Sequence, residues 1–291
     1  MSSNINTLEL YEWCKIPAEE LPNHPKAKVK IKILPTKEDV YKDFAQTIYD
    51  EIKSNNEAGK PTRLILPCGP RGEYPFLVKM VNETHLSLRN VYAFQMDECL
   101  DWQGRPIPLD HPMSFAGWMY KNFYHAVSKE FQIPPEQIHF PDPFNIDKIS
   151  EEIEKIGGID TVYGGVGYRG HVAYNEPPDS RWNVISKDEF RNSKTRILNL
   201  REDTLIALSQ RAFGGCSYRV PPMAVTLGMK DILNAKRIRL YSETGSWKQT
   251  VIRVLLFGPV TTEYPVTFCQ ENPDCLITVD KATAECPDLG I

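Results

Sequence analysis

The chain has 291 residues, of which 41% are apolar and 25% charged, with 34 Lys and Arg against 38 Asp and Glu for a net charge of −4. Such a chain can build a sizeable core and is not disordered, and without a basic excess it offers no expected surface for nucleic acid or anionic membrane. No apolar run approaches the ~20 residues that span a bilayer, and the opening Met1-Ser2-Ser3-Asn4-Ile5-Asn6 lacks both a basic n-region and an apolar h-region, so no signal peptide is predicted.

Residues 1–28 hold Pro17, Pro22 and Pro25, follow no clear period, and read as an extension draped on a main body of residues 29–291. From Val29 to Leu34 apolar and basic residues alternate with period two, a strand. Thr36 to Ile52 reads as a helix, with Thr36 as N-cap, Glu38-Asp39 in an acidic first turn, and Val40, Phe44, Ile48 and Ile52 on one face. Arg63 to Pro67 is a short apolar strand, then a Gly/Pro loop leads into a helix from Glu73 to Asn82, where Pro75 falls in the tolerant first turn. Val91 to Met96 is the next strand, ending at Asp97-Glu98. An aromatic-rich helix is predicted from Ser114 to about Lys129, and another from Asp147 to Ile156.

Asp160 to Tyr163 is a buried strand running into Gly164-Gly165-Val166-Gly167. The polar stretch 177–199 lacks a period and reads as a mobile loop, and 177–215 as a candidate lid. Glu202 to Gln210 is helical, Met223 to Leu227 and Arg237 to Tyr241 are strands, Ser246 to Leu256 is a helix, and Cys275 to Val279 is the last strand. Repeated β-α-β units predict an α/β, Rossmann-like fold: a mainly parallel central sheet with helices on both faces. Ligands of such sheets bind at the carboxyl ends of strands. The seven cysteines are scattered and form no C-x-x-C, which predicts reduced thiols in a cytoplasmic protein and no zinc or redox motif.

Four clusters fall at or just past strand ends. Leu66-Pro67-Cys68-Gly69-Pro70-Arg71-Gly72 joins a strand to a helix N-terminus, a geometry that presents backbone N–H groups to a phosphate and equally makes a plain tight turn. At Asp97-Glu98 two adjacent carboxylates cannot point the same way: one would face the site, as a base if burial raises its pKa, while the other packs or pairs; taken alone, the pair more often marks a solvated acidic loop. The stretch Gly164 to Pro177 sets glycines, His171, Asn175 and Glu176 directly after a buried strand; the imidazole can shuttle a proton and Glu176 can share or orient it. Lys248, in the first turn of its helix, opposes the helix dipole, a conflict that a bound anion would remove.

These ordered blocks resemble the glucosamine-6-phosphate deaminase/isomerase family, itself related to the 6-phosphogluconolactonases. The resemblance rests on Leu66-Pro67-x-Gly69, Phe94-x-Met96-Asp97-Glu98, His111-Pro112-x-Ser114-Phe115, the block from Gly164 to Pro177, Val220-Pro221-x-x-Ala224-Val225-Thr226-x-Gly228 and Gly245-Ser246-x-Lys248. It covers roughly residues 29–285, and Asn175-Glu176-Pro177 points to the deaminase branch. It implies that an aldose amino-sugar phosphate is ring-opened, loses its C2 proton, and passes through an enolamine and an imine to a ketose phosphate and ammonia. Asp97 would then be the base at C2, and His171, supported by Glu176, would handle ring opening. Gly69, Gly72, Lys248 and Arg211 match phosphate-binding positions. The partner implied is a sugar phosphate; no metal or organic cofactor is, and assembly into identical copies stays open. Hydrolase and isomerase are the implied class names, in amino-sugar and carbohydrate metabolism.

The chain departs from the family at several of these positions. Where the family usually reads Gly-Asn-Asp-Gly-His, this chain reads Gly167-Tyr168-Arg169-Gly170-His171. A guanidinium beside an imidazole lowers its pKa where a carboxylate would raise it. Arg169 can face His171, turn away from it, pair with Glu176, or bind an anionic group of the substrate. Pro70 removes an N–H donor from the phosphate loop, and Arg71 can compensate with a bidentate contact. The segment after Pro177 is longer than usual and carries Arg181, Trp182 and Lys187. Three alternatives to the deaminase follow: an aldose–ketose isomerase on another sugar without deamination, a lactonase-like hydrolase, and a non-catalytic sugar-phosphate binder. Ammonia release separates the deaminase reading from all three.

Overall fold

The computed structural model describes residues 5–178 and 184–290. Arg181 and Trp182 lie outside the described residues. Ten strands follow one another along the chain: β1 (Lys30–Leu34), β2 (Thr62–Leu66), β3 (Val91–Gln95), β4 (Asp97–Leu100), β5 (Ile138–His139), β6 (Thr161–Gly165), β7 (Arg196–Asn199), β8 (Met223–Thr226), β9 (Arg237–Ser242) and β10 (Cys275–Asp280). The helices are α1 (Thr7–Cys14), α2 (Lys37–Glu57), α3 (Glu73–Thr84), α4 (Phe115–Met119), α5 (Lys148–Lys155), α6 (Lys187–Arg191), α7 (Glu202–Phe213), α8 (Met229–Leu233), α9 (Gln249–Phe257) and α10 (Lys281–Ala284).

Seven strands form one parallel sheet in the order β1-β10-β9-β6-β2-β3-β5. Alternate residues of each strand enter different cores, as period-two geometry requires. Ile65, Phe94, Val162, Ile238 and Ile277 pack with α5, α8 and α9 on one face. Leu64, Leu66, Ala93, Tyr163 and Tyr241 pack with α2, α3 and α4 on the other. The expected Rossmann-like fold is therefore present. From β2 the chain winds outward through β3 to β5, then returns to place β6 on the other side of β2. The loops leaving β2 and β6 diverge there and open a crevice at the strand ends.

Thr36 caps α2 in a reciprocal capping box with Asp39, and the helix buries Val40, Phe44, Ala45, Ile48 and Ile52. Phe44 is stacked against Tyr241 at 3.8 Å and Tyr163 at 5.6 Å between ring centroids, which locks α2 to β9 and β6.

Four expectations are revised. The strand at 223–227 is present as β8 but belongs to a separate antiparallel sheet, β4-β8-β7, together with β4, which directly follows β3. The helix expected over 114–129 stops at Met119 and continues as a π-helical turn over Tyr120–Tyr124. Within the stretch read as a loop, the described residues include α6 and β7. The proline-rich start is not irregular throughout: Asn6 accepts from the N–H groups of Leu8 and Glu9 to start α1, and a 3₁₀ turn covers Ala18–Asn23. This segment is tied down by the fully buried Arg253, which donates to the carbonyls of Ile16 and Ala284.

Phe44→Ala is expected to cost about 3–5 kcal/mol, the scale for emptying a large buried aromatic site, and denaturant unfolding would show it as a lower midpoint.

Candidate active site

A cavity of about 400 Å³ occupies the crevice. The loops after β2 and β6 form its floor, β4 one wall, α7 another, and the segment from β9 to the start of α9 closes the far end. Two glycines allow this closeness. A Cβ on Gly165 would fall 2.6 Å from the Gly69 carbonyl oxygen, and one on Gly167 would fall 1.9 Å from the His171 ring. Just beyond, Ala173 takes the left-handed φ of 51° that carries the chain round the site.

Asp97 and Glu98 part as two adjacent carboxylates must. Glu98 turns to the start of α4, where its carboxylate accepts from the N–H groups of Phe115 at 2.8 Å and Ala116 at 2.6 Å, and from its neighbour Cys99 at 2.7 Å. A helix N-terminus suits this charge. Asp97 faces the cavity, and among the described residues no hydrogen bond reaches its carboxylate. Burial, with the Glu98 charge beside it, pushes its pKa up to about 8.

His171 lies across the cavity. Burial first, and then the Lys248 charge, push its pKa down to about 3, so the ring is neutral. Its Nδ1 is 3.7 Å from Glu176 Oε1. Glu176 is itself held by α7: it accepts from the Arg201 N–H at 2.8 Å and from the Thr204 hydroxyl. Burial raises the Glu176 pKa against the lowering effect of these bonds. Asn175 fastens the same loop, donating to the carbonyls of Val172 and Leu227 and accepting from Arg196.

Lys248 is buried at the N-cap of α9, after a 3₁₀ turn over Gly245–Trp247 rather than inside the expected helix. Burial and the neighbouring Arg211 lower its pKa to about 8, against the charge of Glu243. Arg211 reaches the cavity from the exposed last turn of α7. Arg71 also lines it, with its Nε donating to the Cys68 carbonyl at 3.0 Å and its guanidinium 4.9 Å from the Trp118 ring centroid.

Of the residues singled out in the sequence, Gly69, Arg71, Gly72, Asp97, His171, Arg211 and Lys248 line this one cavity. Glu176 lies behind His171. Arg169 is elsewhere: its Nη1 is 3.8 Å from Asp203 Oδ2, and it lines an outer groove with Tyr168 and Trp247. The low histidine pKa thus comes from burial and Lys248. Sequence reasoning missed Tyr41, Thr204, Ser242, Glu243 and Thr244. The last three stand at the carboxyl end of β9, where the strand-end rule could have flagged them. Among the described residues no cluster of three His, Cys, Asp or Glu could hold a metal ion, and no helix is long and apolar enough to cross a membrane.

Matched against models of protein families, the chain fits none. A relative from Thermoanaerobacter pseudethanolicus named glucosamine-6-phosphate deaminase is 31% identical over 265 residues, 88% of this chain and 94% of its own. One of the same name from Parabacteroides distasonis is 32% identical over 273 residues, 90% and 92% of the two chains. The chain belongs to the glucosamine-6-phosphate deaminase family. A solved monomeric glucosamine-6-phosphate deaminase of the NagB superfamily superposes with a TM-score of 0.74 at 25% identity, covering 88% of this chain and 99% of that one. The 6-phosphogluconolactonase from Trypanosoma brucei, with a TM-score of 0.62 at 17% identity over 89% and 98%, shares the fold. One expectation is corrected by these names: the family is one of deaminases, so the class name hydrolase is withdrawn.

Because Arg169 pairs with Asp203, Arg169→Asp sets two carboxylates together. It is expected to cost about 1 kcal/mol or less, as for a partly exposed pair, in denaturant unfolding. The His171 titration, followed by NMR, stays in place.

Proposed function

We propose that this chain converts glucosamine 6-phosphate and water to fructose 6-phosphate and ammonia, with Asp97 as the base at C2. The observation that carries the assignment is Asp97 itself: a buried carboxylate, free of hydrogen bonds among the described residues, raised to about 8 and facing a cavity that also holds a neutral imidazole. A base with a pKa near the working pH combines adequate ionisation with real proton affinity. The neighbouring Glu98 helps to keep that affinity high while spending its own acceptor capacity on α4.

The neutral His171 ring donates at one nitrogen and accepts at the other. It is suited to move a proton between the ring oxygen and the anomeric hydroxyl as the sugar opens. Glu176, 3.7 Å away and anchored by α7, orients the ring. Asp97 then takes the C2 proton and returns it to C1. The enolamine becomes an imine, water adds at C2 and ammonia leaves. Gly69, Gly72, Arg71, Arg211 and Lys248 supply the donors and charges for the phosphate end. Arg169, held by Asp203, has no part in these steps. The seven unpaired cysteines support a reducing compartment, and we place the protein in the cytoplasm.

With glucosamine 6-phosphate, the purified protein is expected to form ammonia and fructose 6-phosphate in equal amounts; ketose without ammonia would favour an isomerase instead. Asp97→Asn should lower kcat by about 10³-fold, within the usual scale for an acid–base group, and stop C2 proton exchange with solvent while leaving KM within a few-fold. The base acts ionised, so kcat/KM should climb with pH through an apparent pKa near 8. Stability follows the opposite sign: an acid whose native pKa is raised favours the fold below its unfolded pKa near 3.8 and loses that advantage as pH rises to about 8. In thermal melts, Asp97→Asn should therefore gain on the wild type as pH rises across that window.

A further inference from the structure

The far end of the cavity, past Lys248, is not a simple anion site. Glu243 lines it, buried, with Oε1 accepting from the Tyr41 hydroxyl at 3.0 Å and lying 3.9 Å from Lys37 Nζ. Its carboxylate raises the Lys248 pKa while Arg211 lowers it, so charges of both signs act on the same ammonium. On either side of Glu243, Ser242 Oγ and Thr244 Oγ1 are buried with no hydrogen-bond partner among the described residues, and both residues line the cavity. Glu73, close enough for the Glu243 charge to act on it, is fully buried, and among the described residues neither of its carboxyl oxygens has a hydrogen-bond partner; burial and Glu243 raise its pKa well above the ordinary carboxylate range.

A carboxylate only accepts hydrogen bonds and an ammonium only donates them, while a hydroxyl does both. A phosphate dianion at this end would satisfy Lys248, Ser242 and Thr244 but would set like charge against Glu243. A sugar hydroxyl would satisfy Lys248 as acceptor and Glu243 as donor. We propose that Glu243 makes this end of the cavity a hydroxyl-reading subsite, so that an amino sugar with a free hydroxymethyl end is a substrate alongside its 6-phosphate. Glu243 sets the balance between the two. The inference rests on the deaminase reading of the same cavity, and the reaction is unchanged: amino sugar plus water gives ketose plus ammonia, with the C2 proton carried to C1 by Asp97.

The test compares kcat/KM for ammonia release from glucosamine and from glucosamine 6-phosphate. The wild type is expected to act on both. Glu243→Gln, which keeps an acceptor for Tyr41 and removes the charge, should shift the ratio toward the phosphate by about tenfold or more, as relief of a like-charge contact would. Glu243→Asp, which keeps the charge, should hold the ratio near that of the wild type. Action on the 6-phosphate alone, with glucosamine neither turned over nor competing, overturns the proposal even if no variant folds; so does an unchanged ratio in Glu243→Gln. If neither sugar releases ammonia, the deaminase reading fails, and the proposal is then judged by calorimetric affinities for the two sugars: the same shift in Glu243→Gln supports hydroxyl reading by Glu243, and no shift overturns it.

Discussion

The site depends on keeping one carboxylate buried and unpaired beside another. Asp97 and Glu98 are consecutive, and both are buried. Two charges so close raise each other's proton affinity, and burial raises it further. The arrangement is sustainable because Glu98 takes three backbone N–H groups, two of them from the otherwise unbonded start of α4. With Glu98 secured, Asp97 can stay free of hydrogen bonds, and that freedom leaves it able to take a proton. Loss of the α4 anchor would add a second unsatisfied charge to the same wall, so the aromatic segment after Ser114 belongs to the site twice over: its N–H groups hold Glu98, and Phe115 lines the cavity itself.

The second sheet serves the same end. In the parallel sheet alone, β3 would deliver its last residues into the crevice along the strand direction. The chain instead turns into β4, whose Asp97 is registered against Thr226 of β8, which faces Arg196 of β7. Thr226 Oγ1 accepts the Tyr174 N–H from the histidine loop, and the Met96 carbonyl accepts the Leu227 N–H. One small antiparallel sheet thus joins Asp97 to the loop bearing His171 and Glu176. That same loop is joined to α7 through Arg201, Thr204 and the Arg169–Asp203 pair. In this chain Arg169 reinforces the attachment of α7.

The parts legible in the sequence were those governed by local chemistry. Six of the seven main-sheet strands announced themselves by apolar or alternating runs, α2 by its capping box, and the crevice loops by glycines placed after strands; the two-residue β5 is too short to carry such a pattern. Asp97, His171 and Lys248 were singled out by type and by position at strand ends; only the glycine-rich block around His171 was hard to explain by packing, and the family resemblance drew attention to the other two. The small sheet was not legible, because its three four-residue strands come from distant segments and pair only through tertiary contacts. The side chain of Arg169 could not be placed either: three partners were open to it, and its actual one, Asp203, lies on a helix whose docking is a global property. Glu243 was overlooked because a lone acidic residue after a strand carries no motif.

Burial moves the cavity's ionisable groups toward neutrality: Asp97 upward, Lys248 and His171 downward. A buried group that has lost its hydration returns to its charged form only when something compensates. An anion placed beside Lys248 would be such a compensation: it would restore full charge to the lysine, whose pKa now lies near 8, and binding would take up part of a proton around that pH.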